Sequence, residues 1–154
     1  MLVDWLVGSL GAWPGAVLLQ RSGTAYLLVN AAHILGIGLL VGAILPLDLR
    51  LLGLFRAVPL AALGPFLSRA AAVGAALAIG TGLWLFTVKP GEYLANGAFL
   101  CKAALLALAL MNVALQHRSR GFAAAVAGDE VRPAVRLAAL GSMLLWLSVL
   151  VAGR

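Results

Sequence analysis

Four stretches of this chain, roughly 24–47, 66–88, 98–116 and 134–152, are apolar for about 20 residues each. A helix rises about 1.5 Å per residue, so each stretch can cross the roughly 30 Å hydrocarbon layer of a bilayer. Backbone inside that layer has no water to bond to, and a helix satisfies its own N–H and C=O groups. The predicted fold is therefore all-α, an integral membrane four-helix bundle forming a single domain over residues 1–154. Composition agrees: 64% of residues are hydrophobic and 10% charged, against about 25% charged in a soluble domain. Mean hydropathy is +1.08. A disordered chain, a disulfide scaffold and almost any soluble enzyme are excluded.

The connections are punctuated by proline and glycine. Pro59 and Pro65 are placed before the second span, Lys89-Pro90-Gly91 after it, and Gly128-Asp129-Glu130 with Pro133 before the fourth. Residues 2–13 are apolar but too short to span. With Asp4, Trp5 and Trp13 they read as a short interfacial helix, broken at Trp13-Pro14-Gly15. The segment has no basic start, so it does not read as a standard signal peptide. No internal repeat is evident. Small residues stack at Gly36, Gly38 and Gly42 in the first span and at Gly74, Gly80 and Gly82 in the second. Such residues let helices approach in lipid, or leave room for a flat cofactor.

The net charge is +6. No basic run is interleaved with aromatics, so nucleic acid is not an expected partner; the bilayer and its anionic headgroups are. Arg50, Arg56, Arg69, Arg118, Arg120, Arg132 and Arg136 flank the first and third connections. Arg21, Lys89, Lys102 and Arg154 lie on the other side. The excess predicts those two connections in the cytoplasm and both termini outside, in a bacterial inner membrane. On that topology Trp5, Trp13, Tyr26, Trp84, Tyr93 and Trp146 fall in the outer half. They form a one-sided belt that anchors the outer leaflet or walls a cofactor or quinone pocket.

A polar side chain in hydrocarbon is expensive, so each is a functional candidate. His33 lies about 8 residues into the first span, roughly 12 Å deep. Its imidazole suits haem iron or copper, or a hydrogen bond between helices, or a proton relay. His117 is the weaker metal candidate. The first and third spans run in the same direction, and the two histidines differ in depth by about 16 Å, too far for one iron. His117 is expected at the cytoplasmic rim beside Arg118. Lys102 and Met143 reach the depth of His33 from the third and fourth spans. Lys102 could snorkel, ligate or pair with a haem propionate. Asn112 could bond His33 or a backbone carbonyl, and Trp84 and Trp146 could supply a dry wall. Asp48 is expected to pair at the rim with Arg50, Arg69 or Arg118. Cys101, the single cysteine, reads as a small apolar helix residue. No Ser/His/Asp set, carboxylate pair, HExxH, P-loop or GxGxxG is present, so no hydrolytic or nucleotide chemistry is indicated and enzyme status is left open.

Four segments together resemble a known group: HILG at 33–36, DLRLLG at 48–53, YLANGAFLCK at 93–102 and NVALQH at 112–117. They resemble a bacterial family of four-helix inner-membrane proteins of about this length, classed as a domain of unknown function. The likeness covers roughly residues 1–117; the last span matches in hydrophobicity alone. More distantly the pattern is similar to the copper resistance protein D group and to HemJ-type membrane protoporphyrinogen oxidases. The HemJ-type resemblance implies a haem association for His33 and Lys102. The chain departs from it at Leu100, where that family has a histidine, so oxidase activity is not carried over. The expected function is a membrane protein that binds haem b in its outer half and passes electrons. Its partner would be a periplasmic redox or metal-carrier protein or a larger membrane complex. The alternatives are a copper-handling protein using His33, Met143 and Met111, and a non-catalytic accessory subunit.

Overall fold

The computed structural model describes residues 2–152; among these the side chains of Leu2, Val3, Asp4 and Leu6 are not described, and Arg154 lies outside. Eight helices follow one another and the described residues contain no strand: α1 (Leu2–Ala12), α2 (Pro14–Arg21), α3 (Gly23–Leu52), α4 (Leu60–Phe86), α5 (Pro90–Leu94), α6 (Gly97–Arg118), α7 (Arg120–Ala127) and α8 (Pro133–Ala152). The fold is all-α. Its four long helices α3, α4, α6 and α8 each have the length and apolarity to cross a bilayer.

The α3–α4 hairpin is the backbone of the bundle and its most extensive packing; α8 packs on α3, and α6 on α8. Both hairpin helices bury a heptad-like stripe. On α3 it includes Gly36, Leu40, Ala43, Ile44, Leu47, Asp48 and Leu51; on α4 it includes Leu60, Gly64, Leu67, Ala71, Gly74 and Ala78. This spacing keeps one face of each helix on the other over many turns. Lipid is as apolar as leucine, so close backbone approach rather than transfer from water holds the pair. Gly36 and Gly74 supply it. A Cβ on Gly36 would stand 2.6 Å from the Ala78 backbone nitrogen, and one on Gly74 would meet the backbone of Leu40. Of the other glycines read as a stack, Gly38, Gly42 and Gly80 have nothing within 4 Å of a Cβ position. They face outward and pack nothing.

Helix ends differ from the sequence reading in instructive ways. Pro65 does not precede α4 but lies inside it, because Pro59 takes the N-cap position and the helix starts at Leu60. The bond lost at Pro65 leaves the Ala61 carbonyl without its donor. Ala61 and Pro65 are both exposed near the helix end, where headgroup or water can serve that carbonyl. Likewise α3 runs through Pro46 and ends five residues later than expected, at Leu52. It closes at Gly53 in the left-handed region, φ 107°, with Leu54 N–H donating to the Leu49 carbonyl at 3.0 Å, a Schellman closure.

Three short helices were not anticipated. The break at Trp13-Pro14 starts α2, with Pro14 in its first turn. Then α1, α2 and α5 gather over the N-terminal end of the hairpin. Trp13 Nε1 donates to Thr87 Oγ1 at 3.0 Å, and Gln20 Nε2 to the carbonyls of Gly11 and Val88 at 3.1 Å each. Phe86, Tyr93 and Phe99 pack together beside them. At the opposite, arginine-rich end, Ser119 caps α7. There Phe122 and Ala125 are buried, and α7 packs on α4.

Candidate functional site

His33 sits where α3 faces a run of small residues on α4. Gly74, Ala78 and Gly82 recur at four-residue spacing, one above the other on one face. Gly82 makes the room: a Cβ there would lie 2.9 Å from His33 Cε1. The imidazole is half-buried. Its Nδ1 lies 2.8 Å from the Ala78 carbonyl oxygen and 3.2 Å from Thr81 Oγ1. A carbonyl only accepts, so Nδ1 carries the proton and donates. The Thr81 hydroxyl donates back to the Leu77 carbonyl of its own helix and so can accept from His33. In this tautomer Nε2 carries the lone pair, and it has no hydrogen bond among the described residues. An imidazole whose Nδ1–H is held by a carbonyl, with Nε2 unpaired, has the tautomer that a metal-ligating histidine uses.

His117 is elsewhere. Its Nδ1 lies 3.0 Å from the Val113 carbonyl oxygen and its Nε2 3.1 Å from Ser68 Oγ, and its ring packs on Phe122 at 4.7 Å. The α4 partners of the two histidines, Ser68 against Ala78 and Thr81, are 10 to 13 residues apart. That is about 15–20 Å of helix, so one iron cannot take both rings. His117 also lies at the arginine-rich end, in the last turn of α6 next to Arg118.

The remaining candidates divide. Lys102 is half-buried on the inward stripe of α6, with Phe99, Leu106, Ala109, Val113 and Gln116 at three- and four-residue spacing. Met143 is half-buried on α8 but adjoins Ser142, which lies beside Asp48, 15 residues along α3 from His33; that is about 22 Å of rise, so Met143 does not reach the depth of His33 as expected. Met111 is 54% exposed and turned away from the bundle. Asn112 takes the second of its two expected roles: its Nδ2 donates to the Ala138 carbonyl at 3.0 Å, tying α6 to α8. Trp84 serves the N-terminal segment, donating from Nε1 to the Gly15 carbonyl at 3.0 Å and packing 6.3 Å from Trp13. Trp146 is buried in the core one turn from Ser142 on α8, nearer Asp48 than His33, so it does not wall the His33 ring as expected. Cys101 is free and exposed.

Among the described residues Asp48 has none of the expected ion pairs. The carboxyl is 2% exposed, deep in the α3 stripe. Among the described residues the ion pair present is Lys89–Glu92. Arg50 Nε donates instead to the Val58 carbonyl at 2.8 Å. Thr81 and Ser142 are the side chains that sequence reasoning missed. Both are hydroxyls inside apolar runs, and that was the available signal.

Among the described residues no group of three or more His, Cys, Asp or Glu is placed to hold a metal ion. Two shallow, open surface depressions are present, and neither includes His33. One of about 360 Å³ is lined by Glu130, Val131, Arg132, Pro133 and Arg136; one of about 380 Å³ is lined by Leu144, Leu147, Ser148, Val151 and Ala152.

The four long helices define a multi-pass membrane protein. No protein-family model matches the chain, and no curated protein or solved structure shows significant similarity to it.

Proposed function

We propose that the chain is a membrane haem b protein that passes electrons, with His33 as an axial ligand. The observation that carries this reading is the orientation of the imidazole: Nδ1 donates to the Ala78 carbonyl at 2.8 Å, and Nε2 has no hydrogen-bond partner among the described residues. The donor set fits a single neutral imidazole and not a bis-histidine pair. Haem, when bound, would supply one-electron redox chemistry that no side chain here offers. The chain's own contribution is to fix the His33 tautomer through Ala78 and Thr81 and to admit the ring itself against α4 through Gly82. Lys102 adds a positive charge suited to a propionate.

The partners that follow are a periplasmic redox protein or a larger membrane complex, in a bacterial inner membrane with both termini outside. Copper handling is the less favoured reading, because Met111 is turned away from His33.

The test is the absorbance of the purified protein, as isolated and after titration with hemin in detergent. A Soret band with a b-type reduced-minus-oxidised spectrum is expected. Bound copper without a Soret band would favour the copper reading. Neither would leave an accessory subunit whose polar residues only pack helices.

A further inference from the structure

At the other end of the bundle from His33, three buried polar atoms are left without hydrogen-bond partners: Asp48 Oδ2, Ser142 Oγ and Trp146 Nε1. Asp48 is 2% exposed, Ser142 1% and Trp146 2%. Ser142 on α8 lies beside the Asp48 carboxyl of α3. Trp146 is one turn along the same buried face of α8, and helical side chains lean back toward the preceding turn. Asp48 is 15 residues from His33 on α3, about 22 Å of rise. The two places are separate.

Among the described residues no cation compensates this carboxyl. Arg69 on α4, His117 and Arg118 on α6, Arg120 on α7 and Arg136 on α8 are all exposed, as are Arg56, Asp129, Glu130 and Arg132 in the connections. Arg50 is half-buried but engaged with Val58. Lys102 lies 15 residues before His117 on α6, about 22 Å of rise from that end. Desolvating an unpaired carboxylate costs several kcal/mol, and such a group neutralises instead. A bound metal cation could also neutralise it, but a sodium or calcium ion wants about six or more oxygen ligands. Trp146 Nε1, buried one turn along the same face of α8, is a donor only and supplies no such ligand.

We propose that Asp48 and Ser142 form an intramembrane proton site, in which the Asp48 carboxyl is the group that takes up and releases the proton. Ser142 is the neighbour that can steady the carboxylate when the proton leaves. The site stands on its own and does not depend on a haem at His33.

Dicyclohexylcarbodiimide is the probe. A protonated carboxyl in apolar surroundings adds its O–H across the reagent and rearranges to a stable N-acylurea, one reagent mass per site. The full-length protein in detergent is treated over a range of pH, and labelling is mapped by peptide mass spectrometry. The expected result is an adduct on Asp48 at neutral pH, in clear excess over exposed Asp129 and Glu130. It should fall several-fold as the pH is raised and be unaffected by sodium ions. Ser142→Ala should extend labelling to higher pH, and Asp48→Asn should abolish it. An unlabelled Asp48 in the wild-type protein would overturn the proposal. So would protection by sodium, which would mark a cation site.

Discussion

His33 spends one ring nitrogen on its neighbouring helix and keeps the other, and this division is what a ligand requires. It depends on Gly82, because a Cβ there would stand 2.9 Å from Cε1 and move the ring off Ala78. Disturbing the partners that orient a metal-bound histidine typically costs about 10–100-fold in affinity. Gly82→Ala is therefore expected to weaken hemin binding by about tenfold in a Soret titration; unchanged affinity would show that the Ala78 bond does not orient the ligand. The sequence made His33 visible, since it stands alone in an apolar run, but gave no sign of its partner, a backbone carbonyl. Asp48 shows the opposite failure. It was read as a rim residue because the first span was ended at residue 47. The helix continues through Pro46 to Leu52, and position 48 then falls on the stripe of Leu40, Ile44, Leu47 and Leu51. With no arginine pair to lose, Asp48→Asn is expected to leave the thermal midpoint at neutral pH unchanged. A large drop would mean that the charged form is held by a cation.

Between helices, what matters is which small residues meet. Gly74 lies against the backbone of α3 near Leu40, whereas Gly80 meets nothing. Gly74→Leu should push the hairpin apart and cost at least the ~1–3 kcal/mol typical of overpacking, read as a lowered unfolding midpoint in detergent. Gly80→Leu should leave that midpoint in place. If both variants behave alike, the close approach is not what holds α3 to α4. The bond from Asn112 to Ala138 is a smaller tie. Asn112→Ala should cost about 0.6 kcal/mol, the average for such bonds between membrane helices. Hydropathy alone made the four spans legible, because length and apolarity are properties of the residues themselves. It did not separate Gly74 from Gly80, since helix phase is set by the partner. Nor did it reveal α5 or α7, whose 5 and 8 residues are too short to show a clear period.

Across the whole molecule, the two ends differ in chemistry. The N-terminal end is closed by α1, α2 and α5 with Trp13, Trp84, Phe86, Tyr93 and Phe99. The other end carries Arg50, Arg56, Arg69, Arg118, Arg120, Arg132 and Arg136. That asymmetry was readable from sequence as a lysine and arginine bias, and it predicts orientation. Reporter fusions at Arg56 and Gly128 should both read cytoplasmic; a periplasmic signal at either would invert the assignment. The same two-ended layout puts His33 and His117 about 15–20 Å apart in depth, and the proposed haem site rests on it. The most direct test compares His33→Ala and His117→Ala, each purified and titrated with hemin. His33→Ala should lose the Soret absorbance and His117→Ala should keep nearly all of it. Equal loss in both variants would contradict the single-imidazole site.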